Sequence, residues 1–114
     1  MQVRETPFRT VAGDALRALA AYDRETVEIV CERDDISTKD RVIDDIHEEL
    51  ILNDIGIGRL EDLFRVGKWH CTMHRFEDAI CIHHATGNYE GVLVSVDTDA
   101  GVDLEAVARV CDEV

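Results

Sequence analysis

Basic residues are scarce in this chain of 114 residues, which has 12 Lys and Arg against 25 Asp and Glu and a formal net charge of −13. A phosphate backbone is bound by a basic surface, and a chain of this charge does not supply one. We therefore expect no nucleic-acid partner.

Long apolar runs are also missing. No stretch approaches the roughly 18 consecutive apolar residues that indicate a membrane-spanning helix. The first residues do not show the basic and then apolar segments of a secretory signal. These absences predict a cytoplasmic location and no membrane partner. The apolar share of 46% is ordinary for a globular protein, and the length suits one domain. We predict a single domain over 1–114, with a flexible tail over 1–5.

Cysteine carries no motif in this chain. The four residues stand singly, without a CxxC pair, at Cys31, Cys71, Cys81 and Cys111. A cytoplasmic domain of this size does not need disulfides. We expect buried, reduced thiols.

The acidic residues are abundant and regularly spaced. Asp44 lies four residues from both Asp40 and Glu48, and Asp45 lies four from Glu49. Such like-charge pairs destabilise a helix by about 0.2–0.5 kcal/mol each. Salt removes most of this cost, because the Debye length falls to about 3 Å at 1 M. The spacing favours a protein from a salt-loving organism; the alternative is an ordinary acidic protein with a basic partner.

The first half of the chain predicts a helix and then a strand. Thr6 is placed as the N-cap, and Pro7 occupies the first helical position. Gly13 is expected to weaken this helix without ending it. The position between Leu19 and Tyr22 at which this helix ends is not specified by the sequence. In the alternative interpretation a short strand begins there. A strand is predicted over 26–32. The helical face is apolar at i, i+3, i+4, i+7 and i+8: Phe8, Val11, Ala12, Ala15, Leu16 and Leu19.

The second half predicts two helices, three strands and a last helix. Ser37 is a capping signal, and Asp103 caps the final helix. Between the strands, turns are expected at Glu77-Asp78 and at Gly87-Asn88. The predicted strands span about 68–76, 79–86 and 91–97. The helices have apolar stripes: Ile43, Ile46, His47, Leu50 and Ile51 in one, and Leu60, Leu63 and Phe64 in the next, which stops at Gly67.

This element order predicts an α+β fold: one antiparallel sheet with a three-strand C-terminal meander and helices on both faces. Alternation places valines on one face of the meander and Ile80, Ile82 and Leu93 on the other. A sheet that is apolar on both faces must be covered on both. The terminal helices are expected on one face, and the middle helices or a second subunit on the other.

Histidine is concentrated in a short segment, with four of the five residues at His70, His74, His83 and His84. A two-residue turn at Glu77-Asp78 pairs His74 with Cys81 and Thr72 with His83. Alternation then places His70, His74, Cys81 and His83 on one face. Imidazole and thiolate ligands bind zinc at about 2.0–2.3 Å. These four residues are therefore the candidate zinc site.

A structural interpretation competes with this zinc hypothesis. The spacing is not a known zinc pattern, and a one-residue shift at the turn separates His74 from Cys81. Cysteines commonly fill cores, and strand histidines are commonly solvated or hydrogen-bonded. His47, within an apolar stripe, is expected to be hydrogen-bonded in the core or at an interface. A nucleophilic pairing of Cys71 or Cys81 with a histidine lacks a third orienting group, so no catalytic residue is assigned. Trp69 is expected in the core or a dimer interface.

Two segments carry a resemblance to a known family: "LAAYDRETVEIVCERDD" and "RFEDAICIHHATGNYEGVLVSVDTDAGVDL". They resemble small uncharacterised proteins of haloarchaea, over about residues 8 to 112. In element order the chain is also similar to roadblock or profilin-like domains. That class consists mostly of non-enzymatic homodimers that scaffold or regulate motors and small GTPases. The chain departs from it at 37–66, where two helical segments stand in place of one.

Three functions follow as expectations. The first is a non-enzymatic homodimer that binds itself and another protein. The second is a metal or thiol sensor that uses the candidate zinc site. The third is a regulatory domain with a small-molecule pocket between sheet and helices.

Overall fold

The computed structural model describes residues 3–36 and 40–114, so the predicted cap at Ser37 lies outside the described residues. The chain forms four helices and five strands within them. The helices are α1 (Thr6–Ala12), α2 (Asp40–Ile55), α3 (Ile57–Phe64) and α4 (Leu104–Asp112). The strands are β1 (Leu16–Tyr22), β2 (Val27–Glu32), β3 (Cys71–Arg75), β4 (Ala79–Gly87) and β5 (Glu90–Asp97). The fold is a single α+β domain with the predicted helix, strand and helix order.

The first helix is much shorter than predicted. It ends at Ala12, because Gly13 adopts a φ of 57° and turns the chain through one 3-10 turn into β1. Glu5, and not Thr6, occupies the N-cap position. Leu16 and Leu19, which the apolar spacing places in the helix, are buried strand residues. β1 is apolar on both faces, and such a strand has no alternation that separates it from a helix.

The five strands form one antiparallel sheet in the order β2-β1-β5-β4-β3. The β3–β4 hairpin has the predicted turn, since the Phe76 amide donates to the Ala79 carbonyl at 2.8 Å. The second hairpin turns one residue later than predicted. Its central residues are Asn88 and Tyr89, which both have positive φ, of 54° and 61°.

One face of the sheet, here called the first face, holds the core under α1 and α4. Ile82 pairs with Val94, and Ile80 pairs with Val96, so both isoleucines share this face with the valines. The prediction that they lie opposite the valines was wrong, because it took no account of the register between β4 and β5. The fully buried side chains from helices and sheet include Phe8, Leu19, Ile82, Val92, Val94, Val96, Val107 and Cys111.

The other face, here called the second face, is covered by α2, which packs on β2 and β4. Leu50 of α2 is buried, and His47 donates from Nε2 to the carbonyl of Asp23 at 2.6 Å. The hydrogen bond of His47 is as predicted, and of the two middle helices it is α2 that packs on this face. At the other end of the chain, Asp103 caps α4 by accepting from the Ala106 amide at 3.2 Å.

Two further expectations concern membrane-spanning helices and the N-terminal tail. No helix of the described residues is long and apolar enough to cross a membrane. The flexible tail stays a prediction, because Met1 and Gln2 lie outside the described residues, although Val3 packs against the core. The four cysteines are free thiols, of which Cys111 is buried and the other three are half-buried.

Candidate functional site

A buried cluster of three polar side chains occupies the second face of the sheet. The hydroxyl of Tyr22 lies 2.6 Å from Nε2 of His83 and 3.0 Å from both carboxylate oxygens of Asp54. The three residues come from β1, β4 and α2, and Tyr22 and His83 are only 3% and 2% exposed. The side chain of Asp54 is 6% exposed. The cluster therefore connects the sheet to the end of α2 through hydrogen bonds in the interior.

Gly91 gives the tyrosine ring room to reach the cluster. It is the cross-strand partner of Tyr22 on β5. A Cβ atom built at Gly91 would lie 2.7 Å from the Tyr22 ring and hydroxyl and 2.3 Å from the His84 carbonyl oxygen. No side chain fits at those distances, so the ring crosses β5 directly over the glycine.

Burial determines the protonation of the cluster. It lowers the pKa of His83 to about 4, helped by His74 and His84, so the imidazole is neutral near neutral pH. Burial also raises the pKa of Tyr22, with Asp54 adding to the effect. Burial raises the pKa of Asp54, and the hydrogen bond from Tyr22 opposes this shift. With Asp54 ionised, Tyr22 donates to the carboxylate and accepts from the Nε2–H of His83.

A cavity of about 540 Å³ opens beside Asp54. Its walls come from the end of α2, the inner side of α3, the segment before β3 and the β4–β5 turn. Its lining includes two acidic residues, Asp54 and Glu61, one lysine, Lys68, and two aromatic residues, Trp69 and Tyr89. This volume lies within the range of about 300–1,000 Å³ that ligand pockets occupy.

Trp69 is fixed at the cavity wall by two hydrogen bonds. Its amide donates to Oε2 of Glu61 at 2.8 Å, and its indole Nε1 donates to Oγ1 of Thr72 at 3.0 Å. The indole also meets the His83 ring edge-on, with the centroids 6.0 Å apart. Trp69 thus connects the cavity to the buried cluster. It is half-buried, so it is not a core residue, and a place in a dimer interface stays a prediction.

The candidate zinc residues are only partly brought together. His74 pairs with Cys81, and Thr72 pairs with His83, as the turn predicted. His74 is exposed beside Phe76, whereas the Nε2 of His83 is hydrogen-bonded to Tyr22. Within 3–36 and 40–114, no group of three or more His, Cys, Asp or Glu side chains is arranged to hold a metal ion. Zinc binding by His70, His74, Cys81 and His83 therefore stays a prediction.

His70 lies on the opposite side of the sheet from the other three. It precedes β3, and its Nδ1 lies 3.2 Å from Oδ1 of Asp112 on α4, which covers the first face. Alternation did not apply to it because the strand begins only at Cys71. His84 also faces Asp112, with its Nδ1 3.5 Å from Oδ1 of that carboxylate.

Burial makes three of the four thiols poorer nucleophiles. Burial raises the pKa of Cys71, with Asp112 and Glu105 adding to the effect. Burial also raises the pKa of Cys31 and, to about 12, that of Cys111. A thiol reacts as its thiolate, so these shifts disfavour a nucleophilic role for Cys31, Cys71 and Cys111.

Sequence reasoning named His83 but missed its partners Tyr22 and Asp54. One signal was present in α2. Asp54 follows His47 and Leu50 at the spacing of the buried stripe, so it places a carboxylate on the apolar side of the helix. Tyr22 had no such signal, because its partners are 61 and 32 residues away.

Comparison with known proteins addresses fold and family. Among curated proteins, none matches the chain in sequence. Two solved structures are similar in fold at 15% identity: the gliding protein MglB of Thermus thermophilus, with a TM-score of 0.58, and Myxococcus xanthus MglB, with 0.53. The alignments cover 98% and 99% of this chain and 96% and 90% of those chains. The fold is thus roadblock-like, as the element order suggested. The family model described as a domain of unknown function, DUF7522, matches residues 5–114, and the chain belongs to that family.

Proposed function

We propose that this chain is a non-enzymatic regulatory module that acts as a homodimer and binds a further protein. The observation that carries the proposal is an amphipathic helix whose apolar side is left uncovered. In α3 no residue is buried, and Phe64 is 68% exposed. We call the exposed apolar side chains of α2, α3 and the following residues the α2–α3 surface: Leu52, Ile55, Leu60, Leu63, Phe64 and Val66.

The exposure of this apolar surface supports self-association, because a dimer would bury it. Monomeric proteins rarely expose contiguous apolar patches larger than a few hundred Å². A two-fold dimer brings the same patch of both chains together, so an apolar patch on one copy meets an apolar patch on the other. The roadblock-like fold adds support, because the resemblance to roadblock domains implied homodimers.

Salt dependence is part of the proposal. The outward side of α2 is acidic, with Asp44, Asp45, Glu48 and Glu49 exposed. Two copies that each carry a charge of −13 repel one another in dilute buffer. Salt screens this repulsion, and it strengthens apolar contacts when its ions are excluded from the surface. We infer a cytoplasmic, halophilic protein whose dimer is strongest at molar salt.

Two matched substitutions test where the interface lies. Phe64→Asp places a charge in the α2–α3 surface, whereas Phe76→Asp places one on a phenylalanine that is 60% exposed at the β3–β4 hairpin. We expect Phe64→Asp to raise the dimer dissociation constant by about ten-fold or more, and Phe76→Asp to leave it within about two-fold. Sedimentation equilibrium measures both. Equal effects of the two variants would place the interface elsewhere.

A further inference from the structure

In the cavity beside Asp54, one carboxylate has no Lys or Arg partner among the residues that the structure describes. Lys68 also lines the cavity, but its Nζ lies beside Glu61, 3.8 Å from Oε1, and Glu61 in addition accepts the Trp69 amide. Among the described residues, Asp54 is hydrogen-bonded to the hydroxyl of Tyr22, and its Oδ1 lies 3.5 Å from Nε2 of His83. Across the described ranges, no Lys or Arg forms an ion pair with Asp54.

An unpaired carboxylate with so little exposure is costly. Removing a charge from water costs several kcal/mol unless an opposite charge or hydrogen bonds compensate for it. The single hydrogen bond from Tyr22 satisfies only part of a carboxylate, which has about four acceptor positions. The remaining positions of Asp54 are available to a positively charged donor within the cavity.

The cavity walls suit an organic cation better than a hydrated inorganic one. Trp69 and Tyr89, two residues with aromatic rings, both line the cavity. Aromatic faces attract ammonium and guanidinium groups. The Tyr89 ring makes one such contact within the chain, because the guanidinium carbon of Arg24 lies 4.7 Å from its centroid. An ammonium group on an apolar body would satisfy both the carboxylate and the rings.

We propose that this cavity binds a small organic ammonium ion, with Asp54 as its counter-ion and Trp69 and Tyr89 as its aromatic walls. The site does not depend on the proposed dimer. Ile57, Gly58 and Glu61 of α3 face the cavity, whereas the dimer surface uses other positions of that helix. The proposal of a ligand and the proposal of a dimer can therefore be refuted independently of each other.

Fluorescence of Trp69 provides a direct test, because it is the only tryptophan in the chain. The probe is phenethylammonium chloride, and its neutral counterpart is 2-phenylethanol. Both are titrated in about 1 M KCl, where attraction to the general negative charge is screened. We expect the fluorescence of Trp69 to change saturably with the ammonium. We expect the alcohol to bind more weakly by about ten-fold or more.

Two charge-neutralising variants complete the test. Asp54→Asn keeps an oxygen that accepts from Tyr22 but removes the counter-ion, and Asp62→Asn removes an exposed carboxylate of α3 that does not line the cavity. We expect Asp54→Asn to weaken binding by about ten-fold or more and Asp62→Asn to leave it unchanged. If Asp54→Asn does not fold, the comparison of the two probes with the unsubstituted protein decides the question. The proposal is overturned by no saturable change, by equal responses to both probes, or by equal effects of the two variants.

Discussion

Tyr22 and His83 are hydrogen-bonded at 2.6 Å although their strands are not neighbours. β5 runs between β1 and β4, and adjacent strands are about 4.8 Å apart. The tyrosine side chain crosses β5 at Gly91, the residue that leaves space for its ring. The same hydroxyl reaches Asp54 on α2, so this contact couples the position of the helix to the sheet.

Removal of the Tyr22 hydroxyl tests the strength of this coupling. Tyr22→Phe keeps the ring but leaves the Nε2–H of His83 and the Asp54 carboxylate without their shared partner. Leaving buried polar groups unsatisfied costs about 1–3 kcal/mol. We expect the free energy of unfolding to fall by about that amount in chemical denaturation. Tyr89→Phe, at a half-buried position of the β4–β5 turn, is the control and should change it little. Similar losses in both variants would contradict a structural role for the buried hydroxyl.

The pH dependence of stability reports the burial of His83. Its pKa is lowered to about 4 in the folded protein, against about 6.5 for an unfolded histidine. The unfolded chain therefore binds more protons between these values, and stability falls as the pH drops from about 6.5 to about 4. The raised pKa of Asp54 acts in the opposite direction, while His84, whose pKa is also lowered, adds to the loss.

A variant isolates the contribution of His83. His83→Gln retains a donor for Tyr22 but takes up no proton. The slope of the unfolding free energy against pH should be smaller in the variant, by at most about 1.4 kcal/mol per pH unit. Denaturant titrations between about pH 7 and pH 5 measure this difference. Identical slopes in both proteins would show that His83 is protonated as readily in the folded chain as in the unfolded chain.

Gly91 provides a steric test of the same cluster. In Gly91→Ala the new methyl group would lie 2.3 Å from a backbone carbonyl, so the backbone and the Tyr22 ring must shift. Overpacking of this kind costs typically about 1–3 kcal/mol. Gly58→Ala is the control, because a Cβ there meets nothing within 4 Å and alanine favours the helix. The midpoint temperature of thermal unfolding should fall clearly in Gly91→Ala and should not fall in Gly58→Ala. Equal midpoints in the two variants would refute the close packing at Gly91.

Local signals predicted local structure well. The acidic pair Glu77-Asp78 indicated the register that joins His74 to Cys81, and Asp103 identified the start of α4. The failures arose where two features competed. The apolar spacing from Phe8 to Leu19 fits a helix, but Gly13 ends that helix and the apolar residues continue into β1, which is apolar on both faces.

Long-range packing was beyond the sequence signals. The faces of Ile80 and Ile82 depended on the register between β4 and β5, which no turn chemistry specified to the residue. The buried cluster joins β1, α2 and β4, and only the carboxylate of Asp54 within an apolar stripe hinted at it. The concentration of histidine and cysteine in the β3–β4 hairpin instead suggested a metal site, because these residue types are typical metal ligands.

The molar mass of the protein in solution tests the central claim, the homodimer, most directly. One chain has a mass of 12.8 kDa. Sedimentation equilibrium in about 1–2 M KCl, where charge repulsion is screened, should give about twice that mass, with partial dissociation in dilute buffer. A mass of one chain at every salt and protein concentration would contradict the dimer and leave the α2–α3 surface without its proposed partner.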